Sequence, residues 1–351
     1  MIKKILIKDK QSIYTAMQLL QKTAEQCLIV VNSKNKYEGT ITDGDIRRYI
    51  LNGNNLDNSI KEVYNKNSFY FSKSEFDLAK VKRLILRNNL PIIPIIDKNR
   101  YPIEYYNRDN IELKNNKKSS QKKLNVPVVI MAGGRGTRLK PFSQVLPKPL
   151  IPINDKTLIE HVIDRFKLSG ISKLFLTINY KSRIIKSYFN ELDKDYKISY
   201  IKEDKELGTA GGLYLLRNRL KKPFFVSNCD TIIKEDYAKI YEFHLKEKNH
   251  ITLVAAMKKY VIPFGICEVH KNGQLKDIKE KPKSNYLINT GMYVVNHDLL
   301  KFIPKNRKYD FTEFIDQLIK KKKKVGIFPV VEDLWIDVGQ WPEYKKSIRL
   351  L

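Results

Sequence analysis

The chain has 351 residues, 42% hydrophobic and 30% charged, which is enough for one large or two ordinary domains with a buried core and excludes global disorder. No apolar run approaches the ~18 residues of a membrane span, and Met1–Lys8 has too short an apolar stretch for a signal peptide, so a cytoplasmic protein with no membrane partner is expected. Three cysteines without a CxxC exclude a disulfide framework and a structural zinc site, and the formal charge of +28 raises the question of nucleic acid.

The charge is spread evenly. Residues 1–120 carry 22 Lys and Arg against 13 Asp and Glu, and residues 121–351 carry 44 against 25. The densest run, Lys320–Lys324, follows an apolar helix-like stretch and suits a solvated helix end, where cations complement the dipole. No nucleic-acid partner is expected.

In chain order, Ser12–Gln26 has helical apolar spacing, Cys27–Val31 reads as a buried strand, and a second strand runs toward Ile41. Thr42-Asp-Gly-Asp45 opens a capped helix. The order recurs: helix over Glu75–Asn88, strand over Ile92–Ile96, turn, strand over Tyr101–Tyr106. Two copies in about 110 residues suggest an internal duplication. The polar stretch 107–125 then reads as a connection. The expected division is 1–110, a linker over 111–124, and 125–351.

Val126–Ala132 is a continuous apolar run of the kind that forms a buried parallel strand. It leads into Gly133-Gly-Arg-Gly-Thr-Arg-Leu139. Glycines at a strand end let backbone N–H groups converge on an anion such as a triphosphate. A Walker A loop is excluded because no Gly-Lys-Ser/Thr follows. The dinucleotide pattern GxGxxG is excluded because Leu139 occupies its last position. Phe224–Asp230 is another apolar strand ending in an acid.

The segment Gly39–Arg48 resembles the end of a CBS motif, and residues 1–110 resemble a tandem CBS pair. The resemblance implies an α+β module in which Thr42 and Asp45 hold a ribose and a regulatory nucleotide binds. The second copy has Arg108-Asp109 without the Gly and Thr. A dimerisation or packing module without ligand is the alternative.

GGRGTRL-x-P-x(5)-PKPL-x-P, over 133–152, resembles the signature of sugar-1-phosphate nucleotidyltransferases across about 125–351. The resemblance implies an α/β, Rossmann-like mixed sheet (GT-A-like). It also implies transfer of a nucleotidyl group from an NTP to a sugar 1-phosphate, with release of pyrophosphate. Arg138 and Lys148 would be catalytic. Ala132, Gly133, Gly134, Gly136, Thr137, Glu203, Gly208 and Thr209 would hold the nucleotide, with Glu203 near the base and Thr209 capping the helix that follows it. Gly265, Glu280, Lys281, Asn289 and Thr290 would hold the sugar phosphate. Asp230 and Asp337 would bind Mg²⁺ (magnesium), which accepts one or two carboxylates and keeps waters. The residue usually found before that first Asp is Gly; here it is Cys229, expected to pack rather than react.

LGTAGGL, over 207–213, looks most like guanylyltransferases, with GTP as donor. The CBS-fused architecture resembles glucosamine-1-phosphate guanylyltransferases of legionaminic acid synthesis for flagellin glycosylation, and the family's acyltransferase repeats are not expected after Tyr344. Mannose 1-phosphate, or UTP, CTP or dTTP as donor, remain open, as does a CBS-based nucleotide-sensing regulator. A homodimer or higher assembly is expected.

Overall fold

A computed structural model describes residues 2–23, 25–88, 90–107 and 124–351. The chain forms two compact units, Met1–Ser120 and Gln121–Leu351. The expected linker 111–124, apart from Leu124, lies outside the described residues, as do Arg108 and Asp109.

The first unit uses one plan twice. Leu6–Lys8 pairs parallel with Cys27–Val31, which pairs antiparallel with Tyr37–Thr42. Phe71–Ser72 likewise pairs parallel with Ile92–Ile96, and that strand pairs antiparallel with Pro102–Asn107. A helix, Ile13–Thr23 or Leu78–Asn88, lies between the parallel strands of each repeat. The duplication is therefore structural. Its leading strands, of three and two residues, are too short to show a period in sequence. Two expected helix limits shift inward. The second helix starts at Leu78 rather than Glu75, because Asp77 Oδ1 accepts the Ala79 N–H at 2.8 Å and caps it there. The first ends at Thr23, whose hydroxyl donates to Leu19 O at 2.8 Å.

The second unit is built on a seven-stranded mixed sheet. Val128–Met131 lies between Lys173–Ile178 and Phe224–Asn228, parallel to both, and Lys197–Lys202 continues the parallel edge. On the other side come antiparallel Lys283–Val295, then Ile251–Val261, then Val325–Val331. Both faces of the sheet are covered. Val128 and Ile130 enter one apolar core while Val129 enters the other, which is why the run reads as continuously apolar. From its first strand the chain moves outward one way, then returns to pair on that strand's other side. Such a reversal opens a crevice at the carboxyl ends of the two strands.

Lys320 closes the helix Phe311–Lys320, and Lys321, Lys322 and Lys324 are exposed, as expected for a solvated helix end. Cys27 and Cys229 are buried free thiols and Cys267 is exposed. Among the described residues no helix is long and apolar enough to cross a membrane.

His244 is buried under the sheet, with Nδ1 2.9 Å from Thr252 Oγ1 and Nε2 3.0 Å from Asn296 Oδ1. Burial holds its pKa below the ordinary histidine value. The unfolded chain therefore takes up this proton first, and the stability His244 confers above about pH 6.5 is lost progressively as pH falls from that value through the lower pKa of the folded state. The stability difference between wild type and His244→Gln is expected to shrink from pH 7.5 to 5.5 in denaturant titrations. A constant difference would show that His244 does not titrate against folding.

Candidate active site

The crevice is a cleft of ≈ 450 Å³ lined by Gly133, Gly134, Gly136, Thr137, Arg138, Lys148, Glu203, Gly208, Thr209 and Asp230. Beyond it opens a second cavity of ≈ 500 Å³, whose lining includes Asn289, Thr290 and Asp337. Arg138, Thr209, Asn228 and Asp230 line both, so the two spaces meet there.

The glycine loop follows the strand Val128–Met131. Gly136 has φ +65°, and a Cβ on it would lie 2.7 Å from Lys148 Cβ, so only glycine lets the loop close on the lysine. Lys148 follows Pro147, opens the short turn Lys148–Leu150 and pairs with the Asp230 carboxylate. Burial opposes its charge, but Asp230, with Cys229 and Asp337, more than offsets this and its pKa stands above the ordinary lysine value. The loop's far end is held by the C-terminal helix: Trp341 Nε1 donates to Lys140 O at 2.7 Å, and Phe142 packs on Trp341 with ring centroids 5.2 Å apart.

Asp230 follows the strand Phe224–Asn228, and Asp337 closes Trp335–Asp337. They meet because Thr231–Ile233 pairs antiparallel with Trp335–Asp337 and the Val338 N–H donates to Asp230 O at 3.1 Å. A Cβ placed on Gly339 would lie 3.1 Å from both Asp230 Oδ2 and Asp337 Oδ1 and 3.5 Å from an Arg138 guanidinium nitrogen. Burial, and then the charge of Asp230, push the Asp337 carboxyl above its ordinary pKa. These two carboxylates could share one cation. Among the described residues no cluster of three or more His, Cys, Asp or Glu is placed to hold a metal by itself. Cys229 packs in the core, and burial pushes its thiol up to about 12, consistent with an unreactive packing role.

Glu203 is 5% exposed, yet it lines the cleft. Burial raises its pKa, against hydrogen bonds from the Leu207 backbone and the Thr177 side chain. Its Oε1 would be 2.3 Å from a Cβ on Gly212, so the carboxylate occupies the space a side chain there would fill.

Thr209 does not cap its own helix. It lies inside the single turn Gly208–Gly211, so its hydroxyl turns to another element and accepts the Phe311 N–H at 2.9 Å. Asp310 Oδ1 in turn accepts the Thr209 N–H at 2.8 Å. The turn Gly208–Gly211 is thereby tied to the start of Phe311–Lys320.

Four of the expected residues lie away from these cavities. Ala132 is 1% exposed and belongs to the core; Met131 lines the cleft instead. Gly265, Glu280 and Lys281 sit on an exposed arm around the hairpin Ile266–Val269 and Leu275–Lys279, where the Glu280 and Lys281 side chains are 71% and 65% exposed. Thr290 is in place, but its hydroxyl donates to Val254 O at 2.8 Å and so shapes the strand. Asn228, Thr177, Asp310 and Lys308 line the cavities without any motif pointing to them.

In the first unit, Thr42 and Asp45 line a separate cavity of ≈ 210 Å³ with Cys27, Asn65, Ser68 and Pro91. Both also form a capping box: Asp45 Oδ2 accepts the Thr42 N–H at 2.9 Å, and Thr42 Oγ1 accepts the Asp45 N–H at 3.1 Å.

The nucleotidyl transferase family model matches residues 127–350 and the CBS domain model matches residues 1–52. The chain belongs to the nucleotidyl transferase family. It carries a CBS domain at its N-terminus. The chain is 32% identical over 218 residues to a D-glycero-alpha-D-manno-heptose 1-phosphate guanylyltransferase of Campylobacter jejuni, covering 62% of this chain and 96% of that one. It is 32% identical to mannose-1-phosphate guanyltransferase 2 of Candida glabrata, spanning 61% of that protein's length. A crystal structure of HddC from Yersinia pseudotuberculosis superposes with TM-score 0.52 at 26% identity, covering 64% of this chain and 99% of that one. The same protein has been solved with GMP-PN, at TM-score 0.51.

Proposed function

We propose that the second unit transfers a guanylyl group from GTP to a sugar 1-phosphate, giving a GDP-sugar and pyrophosphate. The observation that carries this is the meeting of two cavities at Arg138 and Asp230, with Lys148 paired to Asp230 on the side of the first and Asp337 lining the second. A phosphate oxygen of the sugar phosphate attacks the α-phosphorus. The bond from that phosphorus to the bridging oxygen breaks, and pyrophosphate leaves with the electron pair. The nucleophile is already an anion, so no general base is required, and the protein's part is positioning and charge neutralisation. Arg138 meets the leaving pyrophosphate, and Lys148 the reacting phosphates.

Two neighbouring carboxylates with open space beside them fit Mg²⁺, whose other positions water and phosphate oxygens would fill. When bound, the ion would neutralise phosphate charge.

Guanine is favoured by Glu203. A carboxylate accepts two hydrogen bonds side by side, and guanine alone offers an N1–H next to a 2-amino group. Adenine presents an N1 lone pair at that edge. Uracil and thymine present one N–H flanked by carbonyl oxygens that repel a carboxylate. The names of the relatives and the bound GMP-PN of HddC support the same choice.

For the sugar, we propose glucosamine 1-phosphate, in the legionaminic acid route to flagellin glycans, on the resemblance of the CBS-fused architecture. Mannose 1-phosphate and the heptose 1-phosphate are the comparison arms. The test is pyrophosphate release with Mg²⁺, each NTP and each sugar 1-phosphate. GTP with one of these sugars is expected to be fastest, and no release with any pair would overturn the proposal. We further propose that the CBS unit binds a regulatory nucleotide and supports a homodimer, both open to titration and sedimentation.

A further inference from the structure

Asn228 is the last residue of the strand Phe224–Asn228 and one of four residues that line both cavities. Two of the other three, Arg138 and Asp230, are charged. Asn228 alone brings a neutral amide, half-buried at the junction. Its main-chain carbonyl accepts the Ser227 hydroxyl at 3.0 Å, but among the described residues no group accepts a hydrogen bond from its side-chain amide.

The amide's seat is built. A register shift in the ladder between Ile251–Val261 and Lys283–Val295 leaves Thr290 and Gly291 as extra residues, because Val254 faces Met292 while Ala255 faces Asn289. Gly291 there has φ +83°, and a Cβ on it would lie 2.3 Å from Asn228 Nδ2. The amide therefore rests against bare backbone, in a place that any other residue at 291 would take from it.

We propose that Asn228 is a catalytic residue of the transfer, its Nδ2 donating a hydrogen bond to a non-bridging oxygen of the phosphorus under attack. This rests on the phosphoryl-transfer function proposed above and adds a residue to it. The junction of the nucleotide cleft and the second cavity is where the two phosphates must meet. A fixed neutral donor there stabilises the charge that grows on the equatorial oxygens without competing with Lys148 for Asp230. A preorganised donor of this kind is worth about 10²- to 10³-fold in rate.

The experiment compares Asn228→Ala, the isosteric Asn228→Asp and Gly291→Ala with wild type, reading kcat, both KM values and the thermal midpoint. Asn228→Ala is expected to lower kcat about 10²-fold while each KM changes less than about threefold, because the contact is made in the transition state. Asn228→Asp puts an anion beside the phosphates and should be slower still. Gly291→Ala should reproduce the loss of kcat by displacing the amide. A kcat within about threefold of wild type in Asn228→Ala, or a loss confined to KM, overturns the proposal. If Asn228→Ala fails to fold, the decision passes to Asn228→Asp, where a near-normal kcat overturns it. A wild-type protein that releases no pyrophosphate refutes the transferase function itself, a separate outcome.

Discussion

Asp230→Asn is expected to lower turnover by about 10³-fold or more in a protein that still folds, because the cation proposed to rest on this carboxylate would contribute several kcal/mol to charge stabilisation. Asp230 is 6% exposed and pairs with Lys148. Asparagine keeps the side chain's shape and an oxygen for Lys148 to reach. The ion pair becomes a hydrogen bond from the Lys148 ammonium to a neutral amide oxygen, at a cost of about 1–3 kcal/mol. The catalytic loss is larger. Asp337 would be left as the sole carboxylate for the cation, and Lys148 would lose the partner that holds it in place. Pyrophosphate release, read beside the thermal midpoint, separates the two effects. Turnover close to wild type would remove Asp230 from the metal site.

Glu203→Gln is expected to lower kcat/KM for GTP by about 10- to 100-fold, the range for losing a bidentate contact to a base edge. It should also narrow the preference for GTP over UTP. The substitution is isosteric where space is tight, with Oε1 set against Gly212. A glutamine presents one N–H where guanine also presents N–H groups, so a matched pair becomes a clash of donors. Burial already raises the Glu203 pKa, so its carboxylate gains a proton more readily than an exposed one. Wild-type affinity for GTP should accordingly weaken as pH falls toward that raised pKa, and the glutamine variant should not show this dependence. Equal GTP/UTP ratios in the two proteins would remove Glu203 from base recognition.

Much of this site could be read along the chain because its parts are local. The loop 133–139 and Pro147-Lys148-Pro149 lie within one stretch, and a glycine-rich turn after an apolar strand can gather backbone N–H groups into an anion-binding concavity. Asp230 was legible for the same reason, as an acid at the end of the run Phe224–Cys229. The internal repeat of the first unit could be seen from its buried strands and helices, although its leading strands were too short to leave a pattern. The exposed positions of Glu280 and Lys281 could not be foreseen, since burial is a property of what packs around a residue.

By itself the sequence determined the elements, the two-part organisation, the glycine loop and the identity of most charged groups. Each depends on a short window: apolar spacing, a cap, a run of glycines. Only the tertiary structure decided which groups meet. Asp337 lies 107 residues after Asp230 and reaches it through a three-residue ladder, Thr231–Ile233 on Trp335–Asp337, that no periodicity announces. Thr209 caps a helix about a hundred positions away rather than its own. Asn228 faces the junction because a bulge places Gly291 beneath its amide. Pairing between distant strands is set by the packing of the whole core, and a local pattern carries no record of it.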